Sequence, residues 1–299
     1  MSTQDRVFRP YIFIGIIFIH LGALFGFYYG YGIQNGFSTS AWVVAIFLYV
    51  VRLLGVSLGY HRFFTHQSFE ASKPVQYVLA TSGGLSAQGK VKNWRNDHKR
   101  HHAFADREGD PHRPSEYLNR WKSFWWSHVG WLCYETKIPI GYKPPPVALE
   151  HKIVVEWQAK WYWVIVVSGF LIPYFISGMD GLFLGGFMCL AFCLNFTWLV
   201  NSFCHMIGFH AKARGYVFDT RDARNLPIFD LFGMGEHNHA NHHVYQNSAH
   251  IGWHWYQSDP AKWVLILLQH ISRKFSRKLV WNVKKPEDFL DYDKRLIIQ

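Results

Sequence analysis

The run Tyr11-Ile-Phe-Ile-Gly-Ile-Ile-Phe-Ile-His-Leu-Gly-Ala-Leu-Phe-Gly-Phe-Tyr-Tyr-Gly-Tyr31 carries no formal charge apart from His20. Wound as a helix it is long enough to cross the ~30 Å hydrocarbon core of a bilayer. Arg6 and Arg9 precede it, but no small-residue cleavage site follows, so it is expected to remain as a span. Three further apolar stretches follow, at 41–58, 161–176 and 182–200. The uncharged break Gly32–Ser40 joins the first pair, and the tight break Ser177–Gly181 joins the second. These lengths predict four transmembrane helices in two hairpins.

Neither break contains Lys or Arg, whereas basic residues crowd every other polar stretch. The positive-inside rule then places both termini and the two polar regions, 59–160 and 201–299, in the cytoplasm. The expected class is an all-α, multi-pass integral membrane protein with a single domain capped by helices on the cytosolic side. A soluble protein with four buried helices is the competing architecture. The mean hydropathy of −0.05 looks soluble only because apolar blocks alternate with polar ones. The net charge of +11 fits anionic lipid headgroups or a phosphate-bearing substrate. No nucleic-acid motif accompanies it, so nucleic acid is not an expected partner. The four cysteines form no C-x-x-C pair or disulfide-like framework, which points to reduced thiols. The stretch 75–85 is too short and Gly-rich to span, and is expected along the interface or over the site.

The polar regions hold three histidine clusters: His61-Arg-Phe-Phe-Thr-His66, His98-Lys-Arg-His101-His102 and His239-Ala-Asn-His242-His243. In the last two the i, i+3, i+4 spacing puts three imidazoles on one helix face. The first pair is i, i+5, about 140° apart on an ideal α-helix. It needs a helix end or an opposing partner to converge, and Gly59 upstream suits an end. Imidazole serves Fe, Zn, Cu and Ni. Eight convergent histidines exceed the four ligands of one zinc and suit two metals. H-E-x-x-H is absent, and only one Glu-x-x-His is present, Glu236…His239, where a ferritin-type bundle needs two. A metal transporter would place ligands inside the spans, where His20 is the only histidine.

These segments, with Asp110-Pro-His112, Ser127-His-Val-Gly-Trp131 and Asn195-Phe-Thr-Trp-Leu-Val-Asn-Ser202, resemble the membrane fatty-acid desaturases, in particular the Δ9, stearoyl-CoA desaturase-like branch. The resemblance covers about 55–263. It implies four transmembrane helices as a stem and a helical cytosolic cap holding a di-iron site. It also implies a ninth ligand, His205, and an asparagine, Asn201, that reaches a metal through water. His112 and His128 fall in matching segments but are not ligands in that family. His237 stands where the family usually has Gly-Trp, and a spacer role is expected for it.

The activity so implied is O2-dependent insertion of a cis double bond, of Δ9 type, into a long acyl chain. Two non-haem irons would do the chemistry, with no catalytic side chain beyond the metal centre. Asp97, Asp106, Asp110 and Glu236 are candidates to orient the imidazoles. Gln88, Trp94 and Thr197 match the residues at the kink of the family's substrate tunnel. Tyr49 and Leu53, i, i+4 on the second span, match its closed end, which predicts palmitoyl or shorter chains over stearoyl. The run Trp94-Arg95-Asn96-Asp97-His98 shifts by one place an arginine that helps hold the CoA headgroup in acyl-CoA desaturases, and Gly89 replaces a CoA-contacting asparagine. Acyl carrier protein thioesters and glycerolipids therefore stand beside CoA as carriers. Electrons are expected from a separate carrier, ferredoxin or cytochrome b5 with its reductase. Related outcomes in this family are acetylene formation, hydroxylation and decarboxylation to a terminal alkene.

Overall fold

A computed structural model of the protein describes residues 6–213 and 216–287. The last part of the predicted cap, 288–299, and the extreme termini lie outside the described residues. The chain is mostly helical, with nine named α-helices among the described residues. Three helical stretches are long and apolar enough to cross a membrane: Pro10–Ile33, Thr39–Thr65 and Leu149–His205. The first comprises α1 (Pro10–Tyr28) and a π-wound turn, Tyr29–Ile33. The second comprises α2 (Thr39–Leu54) and a π-wound segment, Gly55–Thr65.

The third stretch has 57 residues, about 85 Å if straight, and it is not straight. In α6 (Leu149–Asp180) the backbone leaves helical geometry at Ser177 (φ −137°, ψ 20°) and Gly178 (φ 60°, ψ −141°). Glycine takes such a left-handed φ without a Cβ penalty, so the break falls there. The chain then folds back on itself through the π-wound Gly181–Met188 and α7 (Cys189–Ser202). Phe187 packs with its ring centroid 4.9 Å from that of Phe170, and Gly185 lies against Pro173. Both reversals meet at one end of the bundle. Ser38 N–H donates to Asp180 Oδ2 (2.9 Å), and Ser177 and Ser40 hydroxyls pair at 2.9 Å.

Beside the long helices, α3 (Lys73–Gly84) packs one face, with Gln76, Leu79, Ala80, Gly83 and Gly84 buried, and leaves Val78 on the other face exposed. Its Ser82–Gly83 backbone rests on Gly55, and Leu79 rests on Gly59, so two glycines on one side let two backbones touch. Gly84 faces Ile165 of α6. The buried Arg52 pins this junction. Its guanidinium donates to Leu85 O (3.1 Å), Gly185 O (2.8 Å) and Gly169 O (2.8 Å), and so satisfies a buried cation with backbone carbonyls from three segments.

The rest of the chain gathers at the end opposite the reversals. It comprises α4 (Val91–Phe104), α5 (Arg120–His128), α8 (His239–Val244) and α9 (Pro260–Lys274). Two-residue ribbons, Val7–Phe8 with Tyr134–Glu135 and Glu70–Ala71 with Val280–Trp281, tie distant segments together; with a local ribbon, Lys212–Ala213 with Tyr216–Val217, they are the departures from all-α among the described residues. The core below this end is built on Leu58, Phe63, Phe64, Phe69, Val154 and Leu265.

A Cβ at position 55 would collide with the α3 backbone, whereas one at Gly15 would meet open space. Overpacking of this kind costs ~1–3 kcal/mol. Gly55→Ala is therefore expected to lower the melting temperature in detergent, and Gly15→Ala to leave it unchanged, as read by size-exclusion thermal-shift measurements.

Candidate metal centre

Four chain segments bring nine histidines together in two groups. His61, His66, His98, His102 and His242 offer ligand atoms all within 4.8 Å of one another, and so do His101, His205, His239 and His243. The winding of Gly55–Thr65 explains the first pair. In a π-turn residue i+5 stacks over residue i, and His66 N–H donates to His61 O at 3.0 Å. The i, i+5 spacing thus converges by π-winding, without the helix end expected at Gly59.

The other two clusters each serve both groups. On α4, His98 and His102 turn to the first group and His101 to the second. On α8, His239 and His243 turn to the second and His242 to the first. His205, at the end of the 3₁₀ turn Phe203–His205 that closes α7, completes the second group. The second group has one imidazole fewer. Asn201 lies on the last turn of α7, four residues before His205.

The Nε2 atoms point inward. In the first group they lie 2.9–3.0 Å apart along the series His61, His242, His102, His98, His66. In the second they lie 2.9–3.2 Å apart along His101, His243, His239, His205. A neutral Nε2 offers one proton or one lone pair, not both. His242, His98 and His102 each face two other Nε2 atoms, so hydrogen bonding among the rings cannot satisfy the set. A cation accepting every lone pair does. Nitrogens about 2.1 Å from a metal and at right angles to one another stand about 3.0 Å apart, which is the spacing here. Burial, then neighbouring imidazoles, push His66, His98, His102, His239, His242 and His243 well below the usual histidine pKa. The lone pairs are therefore free for a metal at neutral pH. Five imidazoles in one group exceed a tetrahedral zinc set.

Three carboxylates hold rings from behind. Asp110 Oδ2 accepts from His101 Nδ1 (3.0 Å), Asp106 Oδ1 accepts from His205 Nδ1 (2.9 Å), and Glu236 Oε2 lies 2.5 Å from His61 Nδ1. Burial would raise the Asp110 carboxyl, but His101 and His112 outweigh it and keep it below the carboxylate range. Burial likewise opposes ionisation of Glu236, and His61 and Arg62 hold it at about 2. Asp97, a fourth candidate from the sequence, accepts from no imidazole among the described residues, and burial lifts it to about 6. It is removed from that role.

Sequence reasoning did not single out Arg62. Fully buried between the ligands, it donates to Glu236 Oε1 (3.0 Å), Asp259 Oδ2 (3.1 Å) and Ala249 O (2.7 Å). A charge inside an aromatic His-to-His run was the available signal, since a buried cation demands partners. His112 stacks 4.3 Å behind His101, and burial holds it at about 3. His237 packs between Phe196 and Phe229 with no ring hydrogen bond among the described residues, consistent with a spacer.

The expected kink residues are linked. Trp94 Nε1–H donates to Gln88 Oε1 (3.3 Å), and Gln88 Nε2–H donates to Thr197 Oγ1 (3.0 Å). Trp94 also stacks on His98, 4.9 Å away. Beyond them an apolar cavity of about 20 Å³ lies among Leu53, Val56, Ser57, Thr197 and Glu236. Leu53 lines it. Tyr49, one turn earlier, does not; its hydroxyl donates to Phe232 O at 2.6 Å.

Comparison with known proteins bears on this geometry. Residues 37–267 match the family model described as Fatty acid desaturase. The chain is 33% identical over 282 residues to a sn-1 stearoyl-lipid 9-desaturase of Anabaena variabilis, covering 93% of this chain and 96% of the relative. It is 33% identical over 256 residues to a hex-5-enoyl-[acyl-carrier protein] acetylenase of Moorena producens (strain JHB), covering 80% and 75%. It is 30% identical over 262 residues to stearoyl-CoA desaturase 4 of Mus musculus, covering 82% and 70%.

Removing a carboxylate that orients a metal-binding imidazole typically costs 10–100-fold in metal affinity. Asp110→Ala, Asp106→Ala and Glu236→Ala are each expected to weaken metal retention by about that factor in chelator competition. Asp97→Ala is expected to retain metal like the parent protein.

Proposed function

Because the chain belongs to the fatty acid desaturase family, we propose that its two histidine groups hold two irons and that it inserts a cis double bond into a long acyl chain at the expense of O2. The observation that carries this reading is the division of nine inward-facing imidazoles into groups of five and four. When bound, the irons supply the oxidation of an unactivated CH2–CH2 pair, which no side chain can perform.

The chain's own residues position the participants. His61, His66, His98, His102 and His242 would hold one iron. His101, His205, His239 and His243 would hold the other, with Asn201 facing its remaining position. Asp110, Asp106 and Glu236 keep three Nδ1–H groups engaged, and so fix which nitrogen faces each metal. The Trp94–Gln88–Thr197 series would set the bend of the acyl chain beside His98. Leu53 would fill the far end of the chamber.

The carrier is read from Arg95. Its guanidinium donates to Pro145 O (2.6 Å) and Pro146 O (2.9 Å) and is buried, so it does not present itself to a phosphate. This favours a glycerolipid or acyl carrier protein thioester over CoA. The relatives whose names specify a lipid or an acyl-carrier protein agree with that choice. The latter relative is named an acetylenase, which keeps acetylene formation as the second reading.

The fold-back at Ser177–Gly178 and the meeting of the two reversals support four crossings in two hairpins. The absence of Lys and Arg from both reversals supports a cytoplasmic cap holding the metals. Its basic surface suits an acidic electron carrier such as ferredoxin or cytochrome b5.

Gas chromatography–mass spectrometry of lipids and thioesters from a host expressing the protein is expected to show a new cis-monounsaturated acyl chain. His242→Ala should reach the membrane but reduce that product to background. A His242→Ala variant with parental turnover would remove the imidazole from the ligand set.

A further inference from the structure

The cavity beside Leu53 holds about 20 Å³, roughly the space of one water-sized sphere. An acyl tail of several methylenes does not fit it unless a wall moves. Two of its walls are helical, the α2 side with Leu53, Val56 and Ser57 and the α7 side with Phe196 and Thr197. The third is the strap Pro227–Gly233, which reaches the cavity through Gly233.

The strap differs from the helices in how it is held. Its ends are anchored: Leu226 N–H donates to His237 O (2.8 Å), and Met234 O accepts from Arg62 (3.2 Å). Within itself it is a 3₁₀ turn, Pro227–Phe229, followed by a tight loop bonded to its own backbone. Among the described residues its ties to the long helices are one neutral hydrogen bond, Tyr49 OH to Phe232 O (2.6 Å), and ring packing of Phe229 and Phe232 on Phe196 at 6.2 and 5.9 Å. The strap is therefore the wall that can open with the fewest bonds broken.

Its outer face is apolar. Ile228 is 78% exposed, Leu231 54% and Phe232 49%. Beside it, the exposed Phe192 of α7 packs 4.5 Å from Phe196, on which Phe232 rests, and Phe47 and Val50 of α2 are exposed as well; these three belong to the stretches read as membrane spans. Tyr49 stacks 5.5 Å from Phe192, so the latch sits between those two helices. Lipid tails are the solvent this face suits. A chain borne by a membrane lipid already lies beside it, and sideways passage keeps its methylenes out of water.

Building on the membrane desaturase reading, we propose that the strap Pro227–Gly233 is a side door of the acyl chamber, latched by the Tyr49 hydroxyl, through which the acyl tail passes between bilayer and chamber. The occupant of the opened wall is the tail of the substrate or product. Tyr49 acts here as a positioning residue, holding the strap shut around the bound chain.

The test is a Tyr49→Cys/Phe232→Cys variant reconstituted in lipid nanodiscs and bridged with a short, reducible bis-thiol reagent. The four native cysteines are buried and leave these two as the reactive thiols. Bridging is expected to cut desaturation at least tenfold relative to the same variant unbridged, with iron content unchanged and activity restored on reduction. A bridged protein that turns over at its unbridged rate, or a loss that reduction does not reverse, overturns the door. The product made by the unbridged variant checks the desaturase reading separately. Should the double variant not fold, Tyr49→Phe serves, because it removes the latch and keeps the ring. Hydrogen exchange of the 229–233 amides should then accelerate at least threefold, and unchanged exchange overturns the proposal.

Discussion

Nine imidazoles converge on two points, and the rest of the structure answers the cost of that arrangement. Lone pairs about 3 Å apart repel unless a cation takes them, and burial strips away the water that might otherwise intervene. Such a set stays in place only if each ring is held by something other than its neighbours. Asp110, Asp106 and Glu236 hold three rings, and Trp94 stacks on a fourth. Arg62 in turn keeps Glu236 ionised and bonds Asp259 at the start of α9. The centre is thus braced from its far side by charges that the sequence scatters over 197 positions, from Arg62 to Asp259.

The same convergence dictates the backbone. Two α-helices with H-x-x-H-H spacing cannot each feed a single site, because the third imidazole lies off the line of the i, i+4 pair. Here that mismatch is used: α4 and α8 each give a pair to one group and a single ring to the other. The π-winding of Gly55–Thr65 adds the last pair to the first group. Gly55 and Gly59, both within the π-wound segment, let α3 lie directly against its backbone. A glycine that looks like a packing detail in the second span therefore bears on where His61 and His66 point.

Much of this was legible in the sequence, for physical reasons. Uncharged runs near twenty residues report bilayer-length helices, and the structure breaks α6 within the stretch Ser177–Gly181 where the run is interrupted. Histidine spacing named the rings that meet, apart from His205, for which the family resemblance was needed because a lone histidine at a helix end has no periodic signal. Other features had no such signature. The π-winding of Gly55–Thr65 leaves no periodic mark in the sequence. The packing of α3 on that segment follows from close glycine contacts that hydropathy does not register. Asp97 and Asp110 look alike in sequence, and only their surroundings separate an acid on a ring nitrogen from one left without it. Tyr49 and Leu53 share a helix face, yet Leu53 meets the cavity while Tyr49 reaches past it to Phe232.

The central claim is that the two histidine groups are two separate metal positions of unequal ligand number. X-ray absorption at the iron edge, with the metal quantified on the same purified sample, measures this most directly. The account predicts two irons per chain, an average of four to five imidazole nitrogens per iron, and no sulfur ligand. One metal ion per chain, or zinc with no iron after growth in iron-replete medium, would contradict it.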